Sequence, residues 1–175
     1  TKQGWAYTFN RASGEPIWPI VERPVPASEV PGERLSPTQP MPTKPAAYEM
    51  QGLTEDDLID FTPELRAEAL EIVQNYRLGP IFNPPIERGH ASGLRSFVSC
   101  PSGASNIFGP TSADPETGIL YVSTQRGCRS ENIVSGNDID LPDDIKTTGT
   151  TIADFAVLNR GDFRGPQGLP IFKPP

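Results

Sequence analysis

The sequence predicts an all-β chain of short antiparallel strands, interrupted by a long proline-rich insertion that carries one α-helix. Three observations predict it. Aromatic residues alternate at Trp5, Tyr7 and Phe9 ahead of a glycine-containing turn, the period of two that marks a half-buried strand. There are 21 prolines and 16 glycines in 175 residues, so turns and loops must separate short elements. One stretch alone, after Thr62, joins a helix start signal to a helical apolar period.

The elements follow in chain order. Residues Gly4 to Trp18 read as a hairpin, with Asn10-Arg11-Ala12-Ser13-Gly14 as the turn and Pro16-Ile17-Trp18 as the returning strand. From Pro19 to Gln51 there is little periodicity, and each proline removes a donor and biases its predecessor to extended backbone, so this segment reads as a loop packed over something else. Thr54-Glu55-Asp56-Asp57-Leu58 reads as a short turn capped by Thr54. Thr62 then caps a helix near residues 63–77, with Pro63 in its first turn. Leu65, Ala69, Ile72 and Tyr76 make its apolar face, and Gly79-Pro80 follows its end. β character returns at 97–124, where Asp114-Pro115-Glu116-Thr117-Gly118 is a tight turn before the apolar strand Ile119-Leu120-Tyr121-Val122. Arg126 to Thr151 and Gly161 to Pro175 read as loop.

Composition excludes several functions. The net charge is −7 and no run of Lys or Arg is dense enough to track phosphates, so nucleic acid and anionic membrane surfaces are poor partners. The apolar runs, such as Phe155-Ala156-Val157-Leu158, are far too short for a transmembrane helix. The chain opens at Thr1-Lys2-Gln3-Gly4 without Met or a basic-then-apolar leader and stops on Lys173-Pro174-Pro175, so both ends are expected to be cut from a longer protein. Cys100 and Cys128 are enough for one disulfide, but spacing alone leaves free thiols equally open.

Thr8-x-Asn10-x-x-x-Gly14-x-x-x-Trp18 resembles the tryptophan-docking repeat of quinoprotein propellers, usually Ala-x-Asp-x-x-x-Gly-x-x-x-Trp. The run from Thr1 to Ile20 looks like the glucose-dehydrogenase-like branch of the pyrroloquinoline quinone (PQQ)-dependent dehydrogenases. So do Glu22-Arg23-Pro24-Val25-Pro26, Phe61-Thr62-Pro63-Glu64-Leu65, Gly79-Pro80-Ile81-Phe82-Asn83-Pro84-Pro85, Asp114 to Val122, and Gly165 to Pro175, all in order along the chain. The resemblance implies one or two incomplete blades of an eight-bladed β-propeller. It implies a blade hairpin at 1–20, a proline-rich and helical insertion at 21–96, and the next blade start and loop at 97–175. A blade alone leaves its faces without neighbours, so Trp5, Trp18 and Tyr121 are expected to be exposed.

The same resemblance implies oxidation of a sugar or alcohol hydroxyl at bound PQQ, with calcium or magnesium polarising the quinone and an acceptor such as ubiquinone taking the electrons. It further implies a periplasmic setting, with any membrane anchor in a part of the protein absent here, and the remaining blades of the same chain as partners. The Asp that serves as general base falls before Lys2, so no catalytic residue and no metal ligand is expected in this piece. Two residues match cofactor contacts. Lys2 stands where a Lys or Arg before the opening Gly reaches the quinone oxygens, and a fixed cation there stabilises charge that develops on reduction. Asn106 lies in Gly103-Ala104-Ser105-Asn106-Ile107, a broken form of the Gly-Gly-x-Asn-Trp segment whose Asn contacts the cofactor.

Other candidates read as structural. His90 is the sole histidine, with no nucleophile placed beside it by sequence. Asp56, Asp57 and Asp60 suit helix starts, where the macrodipole favours acids. Asp138, Asp140, Asp143 and Asp144 lack the glycine turn and terminal Glu of a calcium loop. A non-catalytic propeller scaffold for protein assembly is the competing reading. A proline-rich module that binds partners through polyproline segments is a poorer one. The scaffold predicts docking repeats without the Lys2 context or the long insertion, and this chain has both.

Overall fold

Short strands in small sheets dominate the computed structural model, which describes residues 1–101, 111–124, 126–135 and 155–173. The opening hairpin is held by few bonds. The Asn10 side-chain oxygen accepts from the amides of Ala12 (2.8 Å) and Ser13 (3.2 Å). Gly14 takes φ +76°, which only glycine adopts without strain, and closes the turn onto the Asn10 carbonyl at 2.8 Å. Phe9 and Pro16 then pair as a single bridge.

The proline-rich segment departs from the loop reading. Strands β1 (Ile20–Pro24) and β2 (Thr38–Pro42) form an antiparallel ribbon, with Ile20 opposite Pro42 and Pro24 opposite Thr38. Proline survives here because a two-stranded ribbon has only edge strands, where a missing donor faces solvent. The Tyr7 hydroxyl donates to the Pro40 carbonyl at 2.8 Å and ties this ribbon to the first hairpin.

Next come β3 (Gly52–Leu53), a single turn at Glu55–Asp57, and helix α1 (Pro63–Val73). The Thr62 hydroxyl caps α1 by accepting from the Leu65 amide at 3.2 Å. The helix ends one turn earlier than its apolar period suggests. Tyr76 instead belongs to β4 (Tyr76–Arg77), which pairs in parallel with β6 (Ser96–Ser99), while β5 (Gly79–Pro80) pairs with β3. A long-range ladder wins over the last helical turn. The hairpin of β7 (Thr111–Asp114) and β8 (Ile119–Val122) turns where the sequence places it. The Asp114 carboxylate accepts from the Glu116 amide (2.9 Å) and the Thr117 hydroxyl (2.6 Å).

The second departure is β9 (Arg129–Ser135), which lies in a segment that reads as loop. It sits inside a four-stranded sheet of order β10-β9-β6-β4, where β10 is Phe155–Asp162. Ile133 and Val134 are buried there, and their burial outweighs the polar residues around them. Leu53, Leu58, Ile59, Ala69, Val73, Val98, Phe163 and Ile171 form the core together with a Cys100–Cys128 disulfide, which resolves the pairing left open by spacing. Among the described residues the fold is short strands in small antiparallel sheets, with β4 and β6 paired in parallel and α1 as the one α-helix, which is consistent with a partial propeller. Among the described residues, no helix is long and apolar enough to cross a membrane.

Exposure of the aromatic residues is mixed. Tyr121 is 56% exposed, as expected for an unpartnered blade face, and Trp18 is intermediate. Trp5 is not exposed but buried at 7%, because it packs against Phe82 with ring centroids 6.0 Å apart. Phe82 supplies the cover that a neighbouring blade was expected to give.

Candidate functional site

The turn at Thr1 to Gly4 presents Lys2. Its backbone closes through the Gly4 amide onto the Thr1 carbonyl at 3.1 Å. A second segment, Tyr48 to Gln51, holds the turn from outside. The Tyr48 amide donates to the Gly4 carbonyl (2.9 Å), the Tyr48 hydroxyl to the Thr1 carbonyl (3.0 Å), and the Gln51 amide nitrogen to the Gln3 carbonyl (2.6 Å). Lys2 is exposed and, among the described residues, has no hydrogen-bond or ion-pair partner.

Its side chain lines a cleft of about 270 Å³ together with Gln3, Ile81, Phe82, Ser99, Pro101 and Glu131. Four elements meet here. The Trp5–Phe82 contact brings the Ile81-Phe82 wall to the Lys2 turn, β6 supplies Ser99, the disulfide holds Pro101 through Cys100, and β9 supplies Glu131. Burial pushes the Glu131 carboxyl above the ordinary carboxylate range, against the pull of Arg129 on the same strand. Ile81, Phe82 and Pro101 give apolar surface, Ser99 a hydroxyl, and Lys2 a cation.

That donor set suits a flat, aromatic polyanion with a reducible carbonyl pair. The apolar wall accepts the ring system and the ammonium answers the negative charge. PQQ has this chemistry, so the residues fit it. Two larger clefts, of about 420 and 460 Å³, are lined by Leu53, Val73 and Tyr76 and by Trp5, Tyr7 and Leu120, with no Lys or Arg on either wall. They do not match an anionic ligand despite their size. Asn106 lies outside the described residues, as do Asp138, Asp140, Asp143 and Asp144.

The remaining candidates are accounted for. Asp57 accepts from the Thr54 amide (2.8 Å) and hydroxyl (2.7 Å), and Asp60 lies 3.8 Å from the Lys173 ammonium. His90 joins two loops: its Nε2 is 2.8 Å from Glu29 and its Nδ1 2.8 Å from the Ser92 hydroxyl. Glu29 also binds Arg77 at 2.7 Å, and that hydrogen bond chiefly holds its carboxyl below the ordinary range. Among the described residues, no three His, Cys, Asp or Glu side chains converge on a metal position.

Phe82, Ser99, Pro101 and Glu131 carry no local sequence signal that places them beside Lys2. Phe82 falls within a matched segment, but nothing local marks it as facing Lys2. Glu131 sits in a polar run whose strand is set only by pairing with β6 and β10.

Comparison with known proteins gives a consistent result. The family model for the PQQ-binding glucose/ethanol/alcohol dehydrogenase β-propeller domain matches residues 1–175. A glycerol dehydrogenase large subunit of Gluconobacter oxydans is 32% identical over 126 residues, covering 70% of this chain and 16% of that protein. A quinate/shikimate dehydrogenase (quinone) of Acinetobacter baylyi is 24% identical over 189 residues, covering 100% of this chain and 22% of that protein. The chain thus spans 16–22% of the length of these curated relatives. No solved structure matches it.

Proposed function

The chain belongs to the PQQ-dependent glucose/ethanol/alcohol dehydrogenase β-propeller family, and on that premise we propose that it supplies one wall of the cofactor site of a dehydrogenase acting on a sugar or alcohol hydroxyl. The observation that carries this reading is Lys2, a cation with no partner among the described residues, on a cleft also lined by Ile81, Phe82 and Pro101. Bound PQQ supplies the two-electron acceptor for hydroxyl oxidation. Lys2 places its ammonium against the quinone oxygens, where it stabilises charge that grows on reduction. Phe82, Ile81 and Pro101 orient the ring plane and exclude water from it. Asn106 is the second cofactor contact.

The general base comes from a part of the protein before Lys2. The divalent ion is calcium or magnesium, with its ligands supplied by other parts of the intact protein. The names of the relatives, glycerol and quinate/shikimate dehydrogenases, support a polyol-like or ring alcohol as substrate. The quinone-linked relative supports ubiquinone as acceptor. The protein works in the periplasm, with any membrane anchor outside this chain. In the same reading, residues 1–20 are a blade hairpin, 21–96 the insertion and 97–175 the start of the next blade.

The test is Lys2→Ala in the full-length protein, assayed by steady-state oxidation with an artificial acceptor and by PQQ titration. Loss of a charge-assisted contact worth roughly 1.5–3 kcal/mol corresponds to about a 10- to 150-fold drop in turnover with PQQ saturating. Binding of oxidised PQQ weakens less, because the contact strengthens as charge develops. Lys2→Arg keeps the charge, changes the reach and restores turnover in part. Unchanged turnover in Lys2→Ala returns Lys2 to an ordinary solvated charge.

A further inference from the structure

Beneath the Lys2 turn lies an ion pair, with its carboxylate buried and its guanidinium partly exposed, that the cofactor site does not use. The Glu49 side chain is 1% exposed, and its Oε1 accepts from Arg126 Nε at 2.8 Å and from the Met50 amide at 2.9 Å. Burying a carboxylate costs several kcal/mol, and apolar residues of the same volume would hold the fold as well. The pair's location gives the reason for its presence. Glu49 stands in the middle of the clamp, between Tyr48 and Gln51, which bond the backbone carbonyls of Thr1, Gln3 and Gly4. Gly4 takes φ +79°, and a Cβ there would lie 2.7 Å from the Glu49 Cβ, so the turn rests directly on this residue.

Arg126 connects to the other wall. It lies two residues before Cys128, whose sulfur is 3.9 Å from the Met50 sulfur and is bonded to Cys100. Pro101, next in the chain, lines the Lys2 cleft. The ion pair therefore spans the two halves of the cleft. One end seats the turn that carries Lys2 and the other is fixed to the disulfide that carries Pro101. A hydrogen-bonded ion pair sets register between two segments in a way that a greasy contact cannot, because sliding leaves a buried charge unpaired.

We propose that Glu49 and Arg126 are positioning residues that fix the height of Lys2 over the cofactor cleft, and so help set the redox potential of the bound cofactor. This rests on Lys2 contacting PQQ, and the test separates the two claims. The measurement is a redox titration, followed by absorbance, of PQQ bound to the full-length protein and to its Lys2→Ala, Glu49→Gln and doubly substituted forms. A fixed cation favours the reduced, more negative cofactor. Lys2→Ala is expected to weaken that preference about tenfold, a fall of about 30 mV for a two-electron couple. Glu49→Gln keeps an acceptor but removes the charge, and is expected to lower the potential by about half as much.

The decisive arm is the double variant. If Glu49 acts through Lys2, adding Glu49→Gln to Lys2→Ala moves the potential no further, whereas a merely structural effect adds in full. An additive double variant, or an unchanged potential in Glu49→Gln alone, overturns the positioning role and leaves the Lys2 reading standing. An unchanged potential in Lys2→Ala overturns both. Should Glu49→Gln fail to accumulate, Arg126→Lys, which retains the charge with a different reach, enters the same cycle with the same expected outcome.

Discussion

Replacing Cys100 and Cys128 together by Ala should loosen the cleft from behind. The two cysteines are 28 residues apart, and opening a cross-link of that span releases loop entropy worth about 3–4 kcal/mol at room temperature. Both side chains are 3% exposed and sit in the main core cluster, so Ala, unlike Ser, avoids burying an unsatisfied hydroxyl. The bridge also neighbours Ser99 and Pro101 on one strand and the β9 start on the other, so its loss frees both walls. Hydrogen exchange of the full-length protein reads this locally. The Phe163 amide donates to the Cys128 carbonyl at 2.8 Å and reports the opening. Its exchange should accelerate by up to about 150- to 900-fold, the factor equivalent to that free energy. Amides of β9 should follow, while those of the β1–β2 ribbon, which touches neither cysteine, should not. Unchanged protection at Phe163 in the double Ala form would refute the argument that the bridge holds this wall.

Three further outcomes are expected. Leu58→Ala empties a site with no solvent exposure and should cost about 2–5 kcal/mol, read as lost protection of the neighbouring Ile59 amide, which bonds Ile171 at 2.9 Å. Glu131 holds its proton to higher pH in the folded than in the unfolded chain, so the folded state loses relative stability as pH rises above the ordinary carboxylate range; Glu131→Gln should flatten melting temperature against pH there, and an unchanged profile contradicts it. Asp114 behaves oppositely. Its carboxyl is held below the ordinary range, first by the Thr117 hydroxyl and then by the Glu116 amide, so its support of the β7–β8 turn is present above that range and lost as pH falls through the folded value. The ratio of Gly118 amide protection in wild type to that in Asp114→Ala should therefore fall toward one at low pH.

Local chemistry was legible where a few adjacent residues decide the backbone. Asn10 to Gly14, Thr62-Pro63 and Asp114 to Gly118 each carry their own capping or turn bonds, and the structure forms all three. Elements decided by distant partners were not legible. Tyr76 continues the helical period, yet it pairs with Ser96 because the parallel ladder offers more than one further turn. The β1–β2 ribbon was hidden by its prolines, and β9 by its charges, since both depend on a partner strand remote in sequence. The site followed the same division. Lys2 is marked by the residues beside it, whereas Phe82, Ser99, Pro101 and Glu131 join it only through the Trp5–Phe82 contact, the sheet and the disulfide. The burial of Trp5 is not legible for the same reason, because its cover comes from Phe82, remote in sequence.

The most direct measurement of the central claim is a structure of the full-length protein with PQQ bound. The Lys2 Nζ is expected within hydrogen-bond distance, about 2.7–3.2 Å, of a quinone oxygen, with the ring plane against Ile81, Phe82 and Pro101. A cofactor seated elsewhere, with the Lys2 ammonium in solvent, would contradict it.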